Sequence, residues 1–185
     1  MPDQARGSRA LLSLAATAMR GGNIGQARQM LQDHLLQSPN DADALEMLAE
    51  IAASQRSTEE ATILLRRALA ADPSVNRRMA LIFHLQKSAP ALALAEIEQL
   101  PQAVRADFEV QAVESAIAGA LGMHDRQIQL YKSMVRVQPG NSGLWVSYGN
   151  ALKTVGRTGE AIKALQKAIH ADPGYGDAWW TLANF

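Results

Sequence analysis

The sequence predicts an all-α fold, a solenoid of short antiparallel helix pairs. Prolines 39, 73, 139 and 173 are spaced by 34, 66 and 34 residues, so one length recurs and the middle interval falls two short of two periods. Other types keep the beat: Gly22 with Arg56, Ala27 with Ala61, Leu31 with Leu65, Gly122 with Gly156 and Tyr131 with Leu165. Within a period, apolar residues recur at i, i+3, i+4 and i+7, the spacing of one helix face. A chain of 185 residues that is 48% hydrophobic can bury a core on that plan.

Residues 8–41 form the first unit, with Leu11, Leu14, Ala15 and Ala18 on one helix and Ala27 and Leu31 on the next. Arg6 and Arg9 before ALLSLAATAM have the outline of a basic region ahead of a short apolar one, but the same residues fit the repeat better. Asn23 with Gln26 resembles a capping box opening the second helix. Residues 42–75 repeat the pattern through Leu45, Leu48, Ala49, Ala52, Ala61 and Leu65, with Ser57 and Glu60 as the box. Residues 76–107 are degenerate: MALIFHLQK is a first helix, but Pro90 arrives early and Pro101 ends a short second one, which predicts a change of pitch or a small hinge.

In 108–141 the apolar face Val110, Val113, Ile117 and Leu121 reads as displaced by about one residue, and Gln127 stands where alanine is usual. Residues 142–175 are the clearest unit. Trp145, Tyr148, Gly149 and Leu152 share one face, Gly156 breaks the helix, Thr158 with Glu160 opens the next, Ala161, Leu165 and Ala168 face inward, and Pro173 stops it. The small residues Gly149, Ala161 and Ala168 let helix axes approach closely. Residues 176–185, GDAWWTLANF, begin a further unit, with Trp179, Leu182 and Ala183 at inward positions. Because that stretch offers no polar outer face, Trp179, Trp180, Leu182 and Phe185 are expected at an interface, covered by chain continuing past Phe185 or by a second copy in a homodimer.

The series Trp145, Tyr148, Gly149, Leu152, Ala161, Leu165, Pro173 resembles the tetratricopeptide (TPR) signature with conservative exchanges, and the resemblance extends over nearly the whole chain. It implies a right-handed superhelical array and a protein–protein interaction scaffold that holds a peptide or protein in a concave groove, rather than an enzyme. In that family the groove is lined by the second, fifth, ninth, twelfth and thirteenth positions of each repeat. Carried over, these are Asp43, Glu46 and Glu50, then Arg77, His84 and Lys87, then Asn150 and Lys153: an acidic stretch followed by a mildly basic one. The carboxylate clamp of chaperone-binding relatives is missing, since its fifth position reads Leu12, Glu46, Ala80 and Val146. The asparagine ladder of sugar transferases is missing too, with Ser13, Met47, Leu81 and Ser147 at the sixth.

The last 40 or so residues, through the WWTLAN step, also look like the final repeats of bacterial proteins in which a TPR region precedes a sulfotransferase domain. That resemblance implies an alternative role as a substrate-recruiting region, with the catalytic domain after Phe185 and the donor-binding loop outside residues 1–185.

Eighteen basic residues balance eighteen acidic ones, which disfavours a nucleic-acid or anionic-membrane surface. Without cysteine there is no disulfide, thiolate metal site or cysteine nucleophile, in keeping with a reducing, cytoplasmic setting. GxxxxGK[ST] and HExxH do not occur. His34, His84, His124 and His170 lie in different repeats, so no catalytic, cofactor or metal residue is assigned.

Overall fold

The computed structural model describes residues 2–184, with side chains from residue 7, and contains helices without strands over that range. They are α1 (Pro2–Arg20), α2 (Ile24–Gln37), α3 (Ala42–Ser54), α4 (Thr58–Ala71), α5 (Val75–Ser88), α6 (Pro90–Glu98), α7 (Gln102–Arg105), α8 (Phe108–Ala120), α9 (His124–Val137), α10 (Ser142–Thr154), α11 (Thr158–Ala171) and α12 (Gly176–Ala183). The chain divides into two compact units, Met1–Leu85 and Gln86–Phe185, the division falling inside α5. No helix among the described residues is long and apolar enough to cross a membrane.

Four of the pairs, all but α5 and α6, close through the same turn, and the backbone makes it. Gly22, Arg56, Gly122 and Gly156 all adopt left-handed φ, between 63° and 79°. The amide of each reaches back to a carbonyl of the preceding helix (Met19, Ala53, Gly119, Lys153), and the next amide reaches further, to Ala18, Ala52, Ala118 and Leu152. That double closure is the Schellman arrangement, which satisfies the last carbonyls of one helix while starting the other.

This turn overrides the expected capping boxes. Asn23 and Ser57 do stand at the N-caps of α2 and α4, but at ψ of 56° and 68° neither side chain bonds to its helix. Arg157, not Thr158, is the N-cap of α11. Side-chain caps appear instead where one pair hands on to the next: Asp41 Oδ1 accepts the Ala44 N–H at 3.1 Å and Asn141 Oδ1 the Leu144 N–H at 3.0 Å. These are acids or amides immediately ahead of an apolar helix, a start signal that lies in the sequence.

The displaced face expected in 108–141 is not displaced. Buried positions of α8 are Val110, Glu114, Ser115, Ile117 and Ala118, each 66 residues after Ala44, Leu48, Ala49, Ile51 and Ala52, which are buried in α3. The polar pair Glu114–Ser115 sits where α3 has Leu48–Ala49, so an apolar-only reading slid along the helix to Val113. Buried Glu114 is compensated: Arg126 Nε donates to it at 2.7 Å and Arg126 Nη1 to Glu98 at 3.0 Å, tying α9 to α8 and α6. Burial disfavours the Arg126 charge, but the hydrogen bonds of Glu114 and Glu98 outweigh it and raise its pKa further. Gln127 packs its amide over Gly119: an added Cβ there would lie 2.4 Å from Gln127 Nε2, so a larger residue at 119 would require the Gln127 side chain to move.

In the second unit the core is built from Leu144, Trp145, Leu152, Ala161, Ala164, Leu165 and Ala168, all buried. Gly149 is a required close approach, since a Cβ there would come within 3.1 Å of Leu165 Cγ and 3.4 Å of the Ala161 carbonyl. In the degenerate stretch Pro90 starts α6 at a position where its missing N–H costs nothing. The four-residue α7 follows Pro101.

Arg56 is the one described non-glycine residue with positive φ, at a turn where glycine serves three times. Left-handed backbone costs an L-residue about 1–2 kcal/mol, partly offset by the greater freedom glycine has when unfolded. Arg56→Gly is therefore expected to stabilise the first unit by about 0.5–1 kcal/mol, read as a thermal midpoint a few degrees higher by circular dichroism. A lowered midpoint would mean that the arginine side chain makes contacts worth more than the strain.

Candidate functional site

The residues expected to line a groove in the first unit fall into two groups. Asp43, Glu46 and Asp72 converge on Arg77: its guanidinium donates to Asp43 and Asp72, and its Nε lies 3.4 Å from Glu46. Arg77 thereby staples the start of α5 to α3, and its side chain is only 13% exposed. The expected basic groove residue is thus engaged within the protein, its charge balanced before any partner arrives.

The second group forms a hollow. Glu46, Glu50 and His84 line a cavity of about 170 Å³, enough for several waters or one long side chain, over an apolar base of Ala49, Ala53, Leu65 and Ala80. His84 Nε2 is 3.0 Å from the Thr58 carbonyl, which can only accept, so the ring nitrogen carries the proton and donates. Thr62 Oγ1, 3.1 Å from the same nitrogen, bonds to that carbonyl as well. Glu50 is outside the Arg77 cluster. Burial pushes its carboxyl above the usual carboxylate value, and the neighbouring Glu46 charge adds to the shift.

In the second unit, Lys87, Asn150 and Lys153 are exposed. Lys153 Nζ donates to the Asn184 carbonyl at 2.8 Å, tying α10 to the end of α12. On α12 the buried residues are Ala178 and Thr181, Leu182 is partly buried, and Trp179 and Trp180 are 52% and 71% exposed. Trp179 nonetheless repeats a contact made 34 residues earlier: its indole N–H donates to the Pro173 carbonyl at 2.9 Å, as that of Trp145 does to Pro139 at 2.8 Å. Phe185 lies outside the described residues.

Two stretches, residues 12–76 and 142–185, match the family description "Tetratricopeptide repeat". The chain carries tetratricopeptide repeats. Among solved structures it is similar to YrrB, described as "a TPR protein with an unusual peptide-binding site", at 18% identity and TM-score 0.76, covering 92% of this chain and 89% of that one. It is also similar to MamA from Desulfovibrio magneticus, at 15% identity and TM-score 0.75, covering 90% and 96%. Likeness at that identity concerns the fold. No curated protein matches the chain. TPR folds in general are scaffolds for protein–protein interaction.

One side-chain cluster in the TPR fold was not anticipated. Ser8, His34 and Asp41 meet where α1, α2 and the start of α3 come together: Ser8 Oγ donates to Asp41 Oδ2 at 2.9 Å, and His34 Nε2 lies 2.7 Å from that same oxygen and 3.2 Å from Ser8 Oγ. These are the residue types of a hydrolytic triad, but not its order. A triad needs the carboxylate on one ring nitrogen and the hydroxyl on the other, so that the ring can relay a proton. Here both address Nε2, the serine proton is given to the carboxylate, and the other Asp41 oxygen caps α3. The cluster is a clasp. No group of three or more His, Asp or Glu suited to hold a metal occurs among the described residues.

Burial works against the Asp41 charge, but hydrogen bonds from His34, the Ala44 amide and Ser8 outweigh it and hold the carboxyl below its ordinary 3.8. A depressed carboxyl stabilises the fold at pH above its unfolded value, and the contribution fades as pH falls through the folded one. Asp41→Asn keeps a cap acceptor and removes the charge. Wild type should therefore be the more stable at pH 7, with the difference shrinking below about pH 4 in thermal melts across pH. A constant difference would show that the carboxylate is not responsible.

Proposed function

We propose that this chain is an interaction scaffold and that the acidic hollow of its first unit receives a basic side chain of a partner segment. The observation that carries the reading is Glu50: a carboxylate on the rim of the hollow, beside Glu46 and over an apolar floor, outside the cluster that neutralises its neighbours, with its pKa raised by partial desolvation and the Glu46 charge. A lysine or arginine entering from the partner would lay its aliphatic stem on Ala49, Ala53 and Ala80 and bring its charge to Glu50 and Glu46. His84, fixed by the Thr58 carbonyl, forms the far wall. Binding rather than catalysis is what the site's chemistry supports, since its polar groups are acceptors for a cation and not an arrangement of nucleophile and base.

The Arg77 cluster contributes by shape. With Asp43, Glu46 and Asp72 held to one guanidinium, the wall of the hollow is set before the partner arrives, which lowers the ordering cost of association. Lys87, Asn150 and Lys153, on the second unit, would serve acidic or amide groups of a partner there.

Panning a random peptide library on the purified chain should enrich lysine or arginine flanked by small residues, and Glu50→Gln should weaken a selected peptide about tenfold, close to 1.4 kcal/mol. Since a bound cation favours the ionised form of Glu50, affinity should also fall as pH drops into the carboxylate range. Recovery of acidic and basic peptides alike, or binding indifferent to Glu50→Gln, would overturn the reading.

A further inference from the structure

A second hollow, in the second unit, uses none of these residues. It is an open depression of about 680 Å³ lined by Pro139, Gly140, Trp145, Lys163, Gln166, Lys167, His170 and Ala171. Trp145, Lys163 and Lys167 also line a smaller adjoining hollow of about 200 Å³, where Tyr148, Leu152 and Ala164 add apolar surface. The two together form a trough along α11 with the Trp145 ring between them.

Its chemistry is amphipathic and mainly cationic, with Lys163 and Lys167 lining both hollows and Glu160 the one carboxylate among the described residues lining either of them. Trp145 is buried against the core and fixed by its N–H bond to the Pro139 carbonyl, so the indole is a rigid floor. Lys167 Nζ stands 4.7 Å from the centre of that ring. Lysine stems supply apolar walls and their ammonium groups the rim, together with exposed His170. Glu160, which lines the smaller hollow, has its charge countered by Arg157, whose guanidinium donates to both of its oxygens at 2.7 Å, and Asp172 Oδ1 accepts the Gly174 amide at 2.9 Å. The trough therefore presents aromatic surface and cationic rim to its occupant.

We infer that this trough is a second binding site, for an extended acidic peptide that places one apolar side chain on Trp145 and flanking carboxylates on Lys163 and Lys167. Length along α11 argues for an extended segment rather than a compact anion, and the apolar floor for a side chain that a bare polyanion lacks. Charge complementarity picks the sign. The site does not include Asn150 or Lys153 of the groove assigned on α10, nor any residue of the Glu50 hollow, so it stands or falls independently of the function proposed above.

The test is a titration of the whole 15N-labelled chain, following the Trp145 indole N–H signal, assigned by eliminating those of Trp179→Phe and Trp180→Phe. The probe is an acetylated, amidated pentapeptide with leucine flanked on each side by two acidic residues. A progressive shift with a Kd of roughly 0.1–1 mM is expected. It should weaken about tenfold in Lys163→Glu/Lys167→Glu and measurably in Gln166→Glu, which alters the rim alone, with circular dichroism confirming the fold. Glu50→Gln should leave it unchanged. Absence of a shift, equal binding after leucine is replaced by serine in the probe, equal response to inorganic phosphate or a single-stranded oligonucleotide, or indifference of a folded lysine variant would each overturn the proposal.

Discussion

The left-handed residue that closes every helix pair but α5 and α6 is the constraint on which the rest depends. Once Gly22, Arg56, Gly122 and Gly156 turn the backbone back, the two helices must lie side by side, because the amides on either side of the turn are already bonded to the first helix. The second helix then has no choice of starting point, and its inward face follows from the 3.6-residue period. Close packing does the remainder. Alanines at 27, 61, 161 and 168 are fully buried, and Gly149 brings α10 against α11 at a distance that a single methyl group would disturb. Arg56 shows how strong this requirement is, since the turn keeps its geometry although the residue there is a poor fit to it.

The pair architecture was legible because period and punctuation are properties of residue type: proline just past a second helix, glycine at a turn and alanine on an inward face act through backbone sterics. What depended on side-chain hydrogen bonding was harder to read. Asn23 and Ser57 occupy cap positions by sequence, but a cap requires a backbone that aims the side chain at the helix, and the Schellman closure sets a different ψ. The apparent slip of α8 had another source. A buried carboxylate is invisible to an apolar pattern, and Glu114 is explained only once Arg126, twelve residues away on the next helix, is placed beside it. Likewise Gln127 is an exception to the repeat only until Gly119 is seen to leave room for it.

For the residues expected in a groove, the sequence assigns a helix face but not a state. Asp43, Glu46, Glu50, Arg77 and His84 all sit on α3 and α5 of the first unit, yet Arg77 is engaged with three carboxylates and His84 with a carbonyl. Periodicity assigns a residue to a face; which of the charges there remain available to a partner depends on rotamers and on neighbours one repeat away. That is why the acidic character of the hollow rests on Glu50 and not on a count of the charges around it.

The trough on α11 illustrates the complementary case. Lys163, Gln166, Lys167 and His170 fall outside the inward register of the repeat, and on a helical wheel they form an ordinary solvated face. They become a site only because Trp145 is held in place by the Pro139 carbonyl, with its ring beneath the Lys167 ammonium. The same indole-to-proline contact recurs at Trp179 and Pro173, so the tryptophan serves first to tie a helix to the loop before it. A residue conscripted for packing in one repeat thus presents a binding surface where the next helix supplies lysines, and the two roles do not compete because the ring's N–H is committed to the Pro139 carbonyl while the Lys167 ammonium stands over its face.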